Sequence, residues 1–142
     1  MMKSNKTILV TGSNGQLGKT IQKKSLKKKE FDWIFLPKED LNITKVVEIK
    51  KAFKKYNPKF CINCAAFTDV TKSEKLPSKA HKINVQGVKN LTRVCNSNNC
   101  IMIHISTDYV FDGTKKSPYL VNDKANPLNK YGLTKYLSEK HV

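Results

Sequence analysis

The chain has 142 residues, 39% of them hydrophobic, and its longest apolar runs, around residues 8–10 and 101–105, are far too short to cross a bilayer. The formal net charge is +16, but the 27 basic residues include a single arginine, Arg93, whereas groove readers and phosphate clamps favour the bidentate arginine fork. No nucleic-acid partner and no membrane are therefore expected, and with no signal-like apolar run in residues 1–5 the cytoplasm is the expected compartment.

A β-rich run over residues 6–11 ends at Gly12, and residues 16–28 then carry Leu17, Ile21 and Leu26 at helical spacing. A second apolar run, 33–36, is closed by Pro37. Residues 44–56 place Val46, Val47, Ile49, Ala52 and Phe53 in a helical pattern stopped near Asn57-Pro58. A third strand is expected over 60–66. A long helix follows over 77–98, with Pro77 in its first turn and Ala80, Ile83, Val88, Leu91 and Val94 at helical spacing. A fourth strand is expected over 101–106, then a turn-rich stretch over 107–128 with Gly113, Pro118 and Pro127, then a last helix from Asn129. Such alternation predicts an α/β fold: a Rossmann-type, doubly wound parallel sheet with helices on both faces. No repeat, linker or charge block marks a second domain, so residues 1–142 read as one domain.

The four cysteines include one C-x-x-C, Cys61 to Cys64. Side chains three apart on a strand face opposite ways, so neither a metal site nor a redox pair is expected there, and no metal is expected elsewhere. The first strand runs into Gly12-Ser13-Asn14-Gly15-Gln16-Leu17-Gly18 and then a helix, a variant of the dinucleotide fingerprint. Gly12 permits the tight turn, Gly15 lets the backbone approach a pyrophosphate, and Gly18 allows close packing, while the helix N-terminus attracts the anion. After the second strand stands Pro37-Lys38, with no carboxylate in the first position. A cation there suits the 2′-phosphate of NADPH, so NADP(H) is favoured and NAD(H) is the alternative. Ala65 and Ala66, at the end of the third strand, leave room for a cofactor lying across the sheet edge.

Thr107, after the fourth strand, is placed to donate to a substrate oxygen near Tyr131. Tyr131 and Lys135 are four residues apart and so share a helix face. An ammonium beside a phenol favours the phenolate, which suits the tyrosine to passing a proton to a carbonyl oxygen under reduction.

Four segments together (10–18, 63–70, 106–113 and 127–135) resemble the dTDP-4-dehydrorhamnose reductase family of the extended short-chain dehydrogenase/reductase superfamily. The resemblance implies reduction of the 4-keto group of dTDP-4-dehydro-L-rhamnose by NADPH, with Thr107, Tyr131 and Lys135 as the catalytic set. Cofactor contacts are implied for Gly12, Asn14, Gly15, Gln16, Leu17, Gly18, Lys38, Asn42, Ile43, Ala65, Ala66, Tyr131 and Lys135. Contacts to the nucleotide-sugar substrate are implied for Thr68, Asp69, Val70, Thr107 and Asp108, and Asn84 matches a structural asparagine. Departures from the pattern are Pro37, Thr71, and Asn42 in place of an aspartate. The resemblance spans about the first half of the family's length, so the fold is expected to stop before the carboxyl-terminal substrate-binding half. Homodimerisation, or association with a separately encoded carboxyl-terminal half, is the matching expectation for partners. Two alternatives accompany this reading: another sugar-nucleotide reductase or epimerase, and a non-catalytic NADP-binding subunit like the beta subunit of methionine adenosyltransferase.

Overall fold

The computed structural model describes residues 6–142, so the reading of residues 1–5 lies outside it. Four parallel strands, β1 (Thr7–Thr11), β2 (Asp32–Leu36), β3 (Phe60–Asn63) and β4 (Ile101–His104), form one sheet in the order β2-β1-β3-β4. The helices are α1 (Gln16–Ser25), α2 (Val46–Tyr56), α3 (Val70–Lys75), α4 (Pro77–His81), α5 (Val88–Ser97) and α6 (Lys130–Glu139). From β1 the chain first moves outward to β2, then reverses over β1 to β3. Right-handed crossovers place α1 on one face and α2 and α5 on the other, where α2 packs on α5. The reversal opens a crevice between β1 and β3 at their carboxyl ends, where ligands of open parallel sheets bind.

The register follows from burial. All five residues of β1 are buried, as a strand covered on both faces requires. Leu9, Leu36, Ile49, Phe53, Cys61 and Leu91 form the centre of the core, and full burial of one such aliphatic or aromatic side chain stabilises the fold by about 1.5–3 kcal/mol. Helix α2 ends at Asn57, which takes the left-handed conformation (φ 43°) and donates its N–H to Phe53 O at 2.8 Å.

Several boundaries depart from the periodicity. Strand β3 stops at Asn63 rather than 66, because Asn63 Oδ1 accepts the Ala65 N–H at 3.2 Å and turns the chain out of the ladder. Strand β4 stops at His104, and α1 stops at Ser25, with Lys27 and Lys28 in the turn beyond. Helix α3 is additional: Asp69 caps it by accepting the Lys72 N–H at 2.8 Å. The long helix expected over 77–98 is continuous but contains a π-helical stretch, Lys82–Gly87, that buries Asn84 completely. The turn-rich connector is pinned by Asp112, which accepts from Thr114 N, Thr114 Oγ1 and Asn126 Nδ2; these bonds hold its carboxyl down to about 2. Phe111 and Tyr119 stack beside it at 4.1 Å.

Candidate functional site

Two clefts meet over the crevice between β1 and β3. The first, about 380 Å³, is bordered by Asn14, Lys38, Asn42 and Ile43 on one side and by Phe67, Lys79 and Ile83 on the other. The second, about 430 Å³, is bordered by Gln16, Leu17, Gly18, Thr68, Tyr131 and Lys135. Gly15, Cys64, Ala65 and Ala66 border both, so an elongated ligand passing from one to the other crosses the glycine loop and the two alanines.

The loop is built for close approach. Gly12 has φ +62°, and a Cβ on it would lie 2.6 Å from the Ala65 backbone nitrogen, so no side chain fits. Helix α1 begins just after Gly15 with no side-chain cap and no acidic residue in its first turn. Its free N–H groups and positive dipole end therefore face the place where the clefts join, an arrangement suited to an anion. Asn42 shapes the first cleft through an Asx turn, its Oδ1 accepting from Thr44 N at 3.0 Å and Thr44 Oγ1 at 2.8 Å. An aspartate would supply the same acceptor, so the substitution leaves this turn intact. Glu39 borders the same cleft beside Lys38, which places one charge of each sign there.

Asn129 caps α6 by accepting the Gly132 N–H at 2.7 Å, and Glu74 of α3 accepts the Lys130 N–H at 2.6 Å. A carboxylate at that end also complements the helix dipole. The Tyr131 ring meets Tyr109 edge to face at 5.7 Å. Lys135 is 3% exposed; its Nζ donates to Ile105 O and lies 3.3 Å from His104 Nε2. Burial holds this lysine down to about 8, with Glu139 acting in the opposite direction. Among the described residues, the hydrogen bonds of Lys135 Nζ run toward the end of β4 rather than to Tyr131.

The structure therefore gathers Gly15, Gln16, Leu17, Gly18, Thr68, Ala65, Ala66, Tyr131 and Lys135 around the second cleft, and Gly12, Asn14, Lys38, Asn42 and Ile43 around the first. Four others stand apart. Thr107 Oγ1 caps the 3-10 turn Asp108–Val110, accepting the Tyr109 N–H and facing Asp108 Oδ1, each at 3.2 Å; its neighbour Ser106 borders the cleft instead. Asp69 and Val70 form the start of α3, and Asp108 is exposed on the turn. Cys61 lies in the core while Cys64 borders both clefts, so the C-x-x-C thiols serve different places.

The family described as the RmlD substrate binding domain matches residues 6–142. The chain belongs to this family. It is 35% identical over 133 residues to the dTDP-4-dehydrorhamnose reductase of Aggregatibacter actinomycetemcomitans, covering 94% of this chain and 45% of that one. Among solved structures, a dTDP-4-dehydrorhamnose reductase from Clostridium acetobutylicum superposes with a TM-score of 0.91 at 46% identity, over 96% of this chain and 48% of that one. One from Bacillus anthracis, in complex with NADP, gives 0.92 at 34% identity, over 96% and 49%. The chain thus spans about half the length of the RmlD-family relatives it matches.

Several residues at the site escaped the sequence reading: Phe67, Lys79 and Ile83 at the first cleft, Ser106 at the second, and His104 beneath it. A histidine in the otherwise apolar run Ile101-Met102-Ile103-His104-Ile105 was the available signal, since a half-buried imidazole needs partners.

Proposed function

We propose that this chain is the dinucleotide-binding and proton-transferring part of a sugar-nucleotide reductase that uses NADPH to reduce dTDP-4-dehydro-L-rhamnose to dTDP-L-rhamnose. The observation that carries the reading is the second cleft, where the glycine loop, Ala65–Ala66, Tyr131 and Lys135 share one cavity. The residues present fit a dinucleotide. The Gly12 cradle would be filled by any Cβ, the start of α1 is open to an anion, and Lys38 borders the first cleft beside Asn42. When bound, the nicotinamide supplies the reducing electron pair.

The chain's own residues would then do the rest. Gly15 and the first turn of α1 hold the pyrophosphate, Lys38 meets the 2′-phosphate, and Ala65 and Ala66 leave the sheet edge open. Tyr131 would give its hydroxyl proton to the carbonyl oxygen as the 4-keto carbon is reduced, and the charge of Lys135 would favour the phenolate left behind. Thr68 borders the reacting end, and Thr107 would have to turn from Tyr109 N to reach the substrate. Residues assigned to the sugar nucleotide are few in this span, so slow turnover by the 142 residues alone is the expected behaviour.

Calorimetry and single-turnover oxidation of NADPH, with the chain in excess over the keto sugar nucleotide, test this. NADPH should bind, and Tyr131→Phe should keep binding while slowing oxidation by roughly 100-fold or more. A folded chain that binds neither NADPH nor NADH would sink the proposal. Binding with no oxidation at all would favour a non-catalytic binding module instead.

A further inference from the structure

Beneath the second cleft a polar chain links three strands to α6. Thr11 Oγ1 donates to Asn63 Oδ1 at 2.6 Å, Asn63 Nδ2 lies 3.1 Å from His104 Nδ1, and His104 Nε2 lies 2.9 Å from Ser138 Oγ. Thr11, Asn63 and Ser138 are all fully buried or nearly so. The proton positions follow from the groups that have no choice. The Ala65 N–H can only donate, and it points at Asn63 Oδ1, so the amide's NH2 end faces His104. An NH2 group can only donate as well. His104 Nδ1 must therefore accept, and the neutral ring carries its proton on Nε2. That N–H finds its acceptor in Ser138 Oγ, whose own proton goes to Lys135 O at 2.6 Å.

A second proton on the ring would set N–H against NH2 at Asn63 and a cation 3.3 Å from Lys135 Nζ. Burial first, and Lys135 second, hold His104 down to about 4. Lys135 accordingly meets the hydrogen-bearing nitrogen of a neutral imidazole. Its ammonium has an acceptor in Ile105 O but gains none from His104, whose Nε2–H is already given to Ser138 Oγ. The other titratable groups facing this spot are Tyr131 and Glu139 on α6 and Cys64 after β3; Glu139, which also accepts from Ser106 Oγ, favours the charged lysine.

We propose that Asn63, by fixing His104 as the Nε2–H imidazole, makes His104 the positioning residue of Lys135. The ring offers the ammonium no acceptor, leaves it to Ile105 O, and so eases the loss of its proton. The catalytic use of this arrangement rests on the reductase reading of Tyr131 and Lys135; the arrangement itself does not.

The test is nuclear magnetic resonance on the full chain without nucleotide. Long-range proton–nitrogen spectra report the imidazole tautomer, with His104 assigned by its loss in His104→Gln. The native ring should be the Nε2–H form at neutral pH, with no titration midpoint above about 5. In Asn63→Asp the carboxylate still accepts from Thr11 and Ala65 but cannot donate. His104 should then move its proton to Nδ1 and turn a lone pair to Lys135, raising the lysine midpoint, followed by the carbon-13 shift of Cε, by about one unit or more. His104→Gln, whose carbonyl can face Nζ, should raise it in the same direction and keeps the test alive should Asn63→Asp fail to fold. An Nδ1–H ring in the native chain, an unchanged tautomer in a folded Asn63→Asp, or a lysine midpoint unmoved by His104→Gln would each overturn the proposal. No nucleotide is present in any arm, so failure to bind NADPH would count against the proposed function alone.

Discussion

Gly132 lies so close to Tyr109 that a methyl group on its Cα would sit 2.1 Å from the Tyr109 carbonyl oxygen. That contact lets α6 settle against the 3-10 turn, and it brings the Tyr131 ring onto Tyr109. Alanine is the better helix former by about 1 kcal/mol, yet here the clash is with backbone, which cannot rotate away. Gly132→Ala should therefore destabilise the chain by about 1–3 kcal/mol in urea denaturation, the usual range for overpacking. A gain in stability would show that the turn yields freely.

Asn84 makes three hydrogen bonds while fully buried: it accepts the Phe67 N–H at 2.7 Å, and its Nδ2 donates to Phe67 O and Thr134 Oγ1, each at 3.0 Å. Asn84→Ala strands both backbone groups of Phe67 and should cost about 2–4 kcal/mol. Asn84→Asp keeps the bond from Phe67 N–H but cannot donate to Phe67 O, and its loss measured the same way should fall in the same range. Equal stability of wild type and Asn84→Ala would mean that water replaces the amide.

The buried Lys135 ties stability to pH. Its native proton is lost near pH 8, whereas the unfolded chain keeps it to about 10.5, so between these values the unfolded state binds more protons and stability rises with pH. Below pH 8 the charged lysine is carried in both states, at a cost to the fold on the order of 3 kcal/mol. Lys135→Met should remove this rise. The difference between wild-type and Lys135→Met unfolding free energies, followed from pH 7 to 10, isolates the contribution of this lysine.

Lys38 and Glu39 share the first cleft, and the proposed NADPH preference depends on the lysine. An exposed ion pair is worth a few tenths to about 1 kcal/mol. Lys38→Ala should therefore weaken NADPH binding roughly twofold to fivefold and leave NADH unchanged in calorimetry. Equal loss for both nucleotides would remove Lys38 from the 2′-phosphate site.

Local features of the site could be read from sequence, and non-local ones could not. The glycine loop and the Tyr131–Lys135 spacing are each confined to a few residues, so backbone geometry alone places them. Asn63, His104 and Ser138 are 41 and 34 residues apart along the chain, on β3, β4 and α6, and only the parallel register brings them together. The strand ends misled for a related reason: Asn63 turns the chain with its own side chain where the apolar run of the sequence continues. The cap that Thr107 makes by accepting the Tyr109 N–H was likewise not legible, because it depends on how the chain turns after β4.

The bridge made by Asn84 has a mechanical consequence. Phe67 borders the first cleft, and Thr134 precedes Lys135 at the second, so one rigid amide joins the walls of both. Phe67 cannot shift relative to the helix that bears Tyr131 and Lys135 without stretching these bonds.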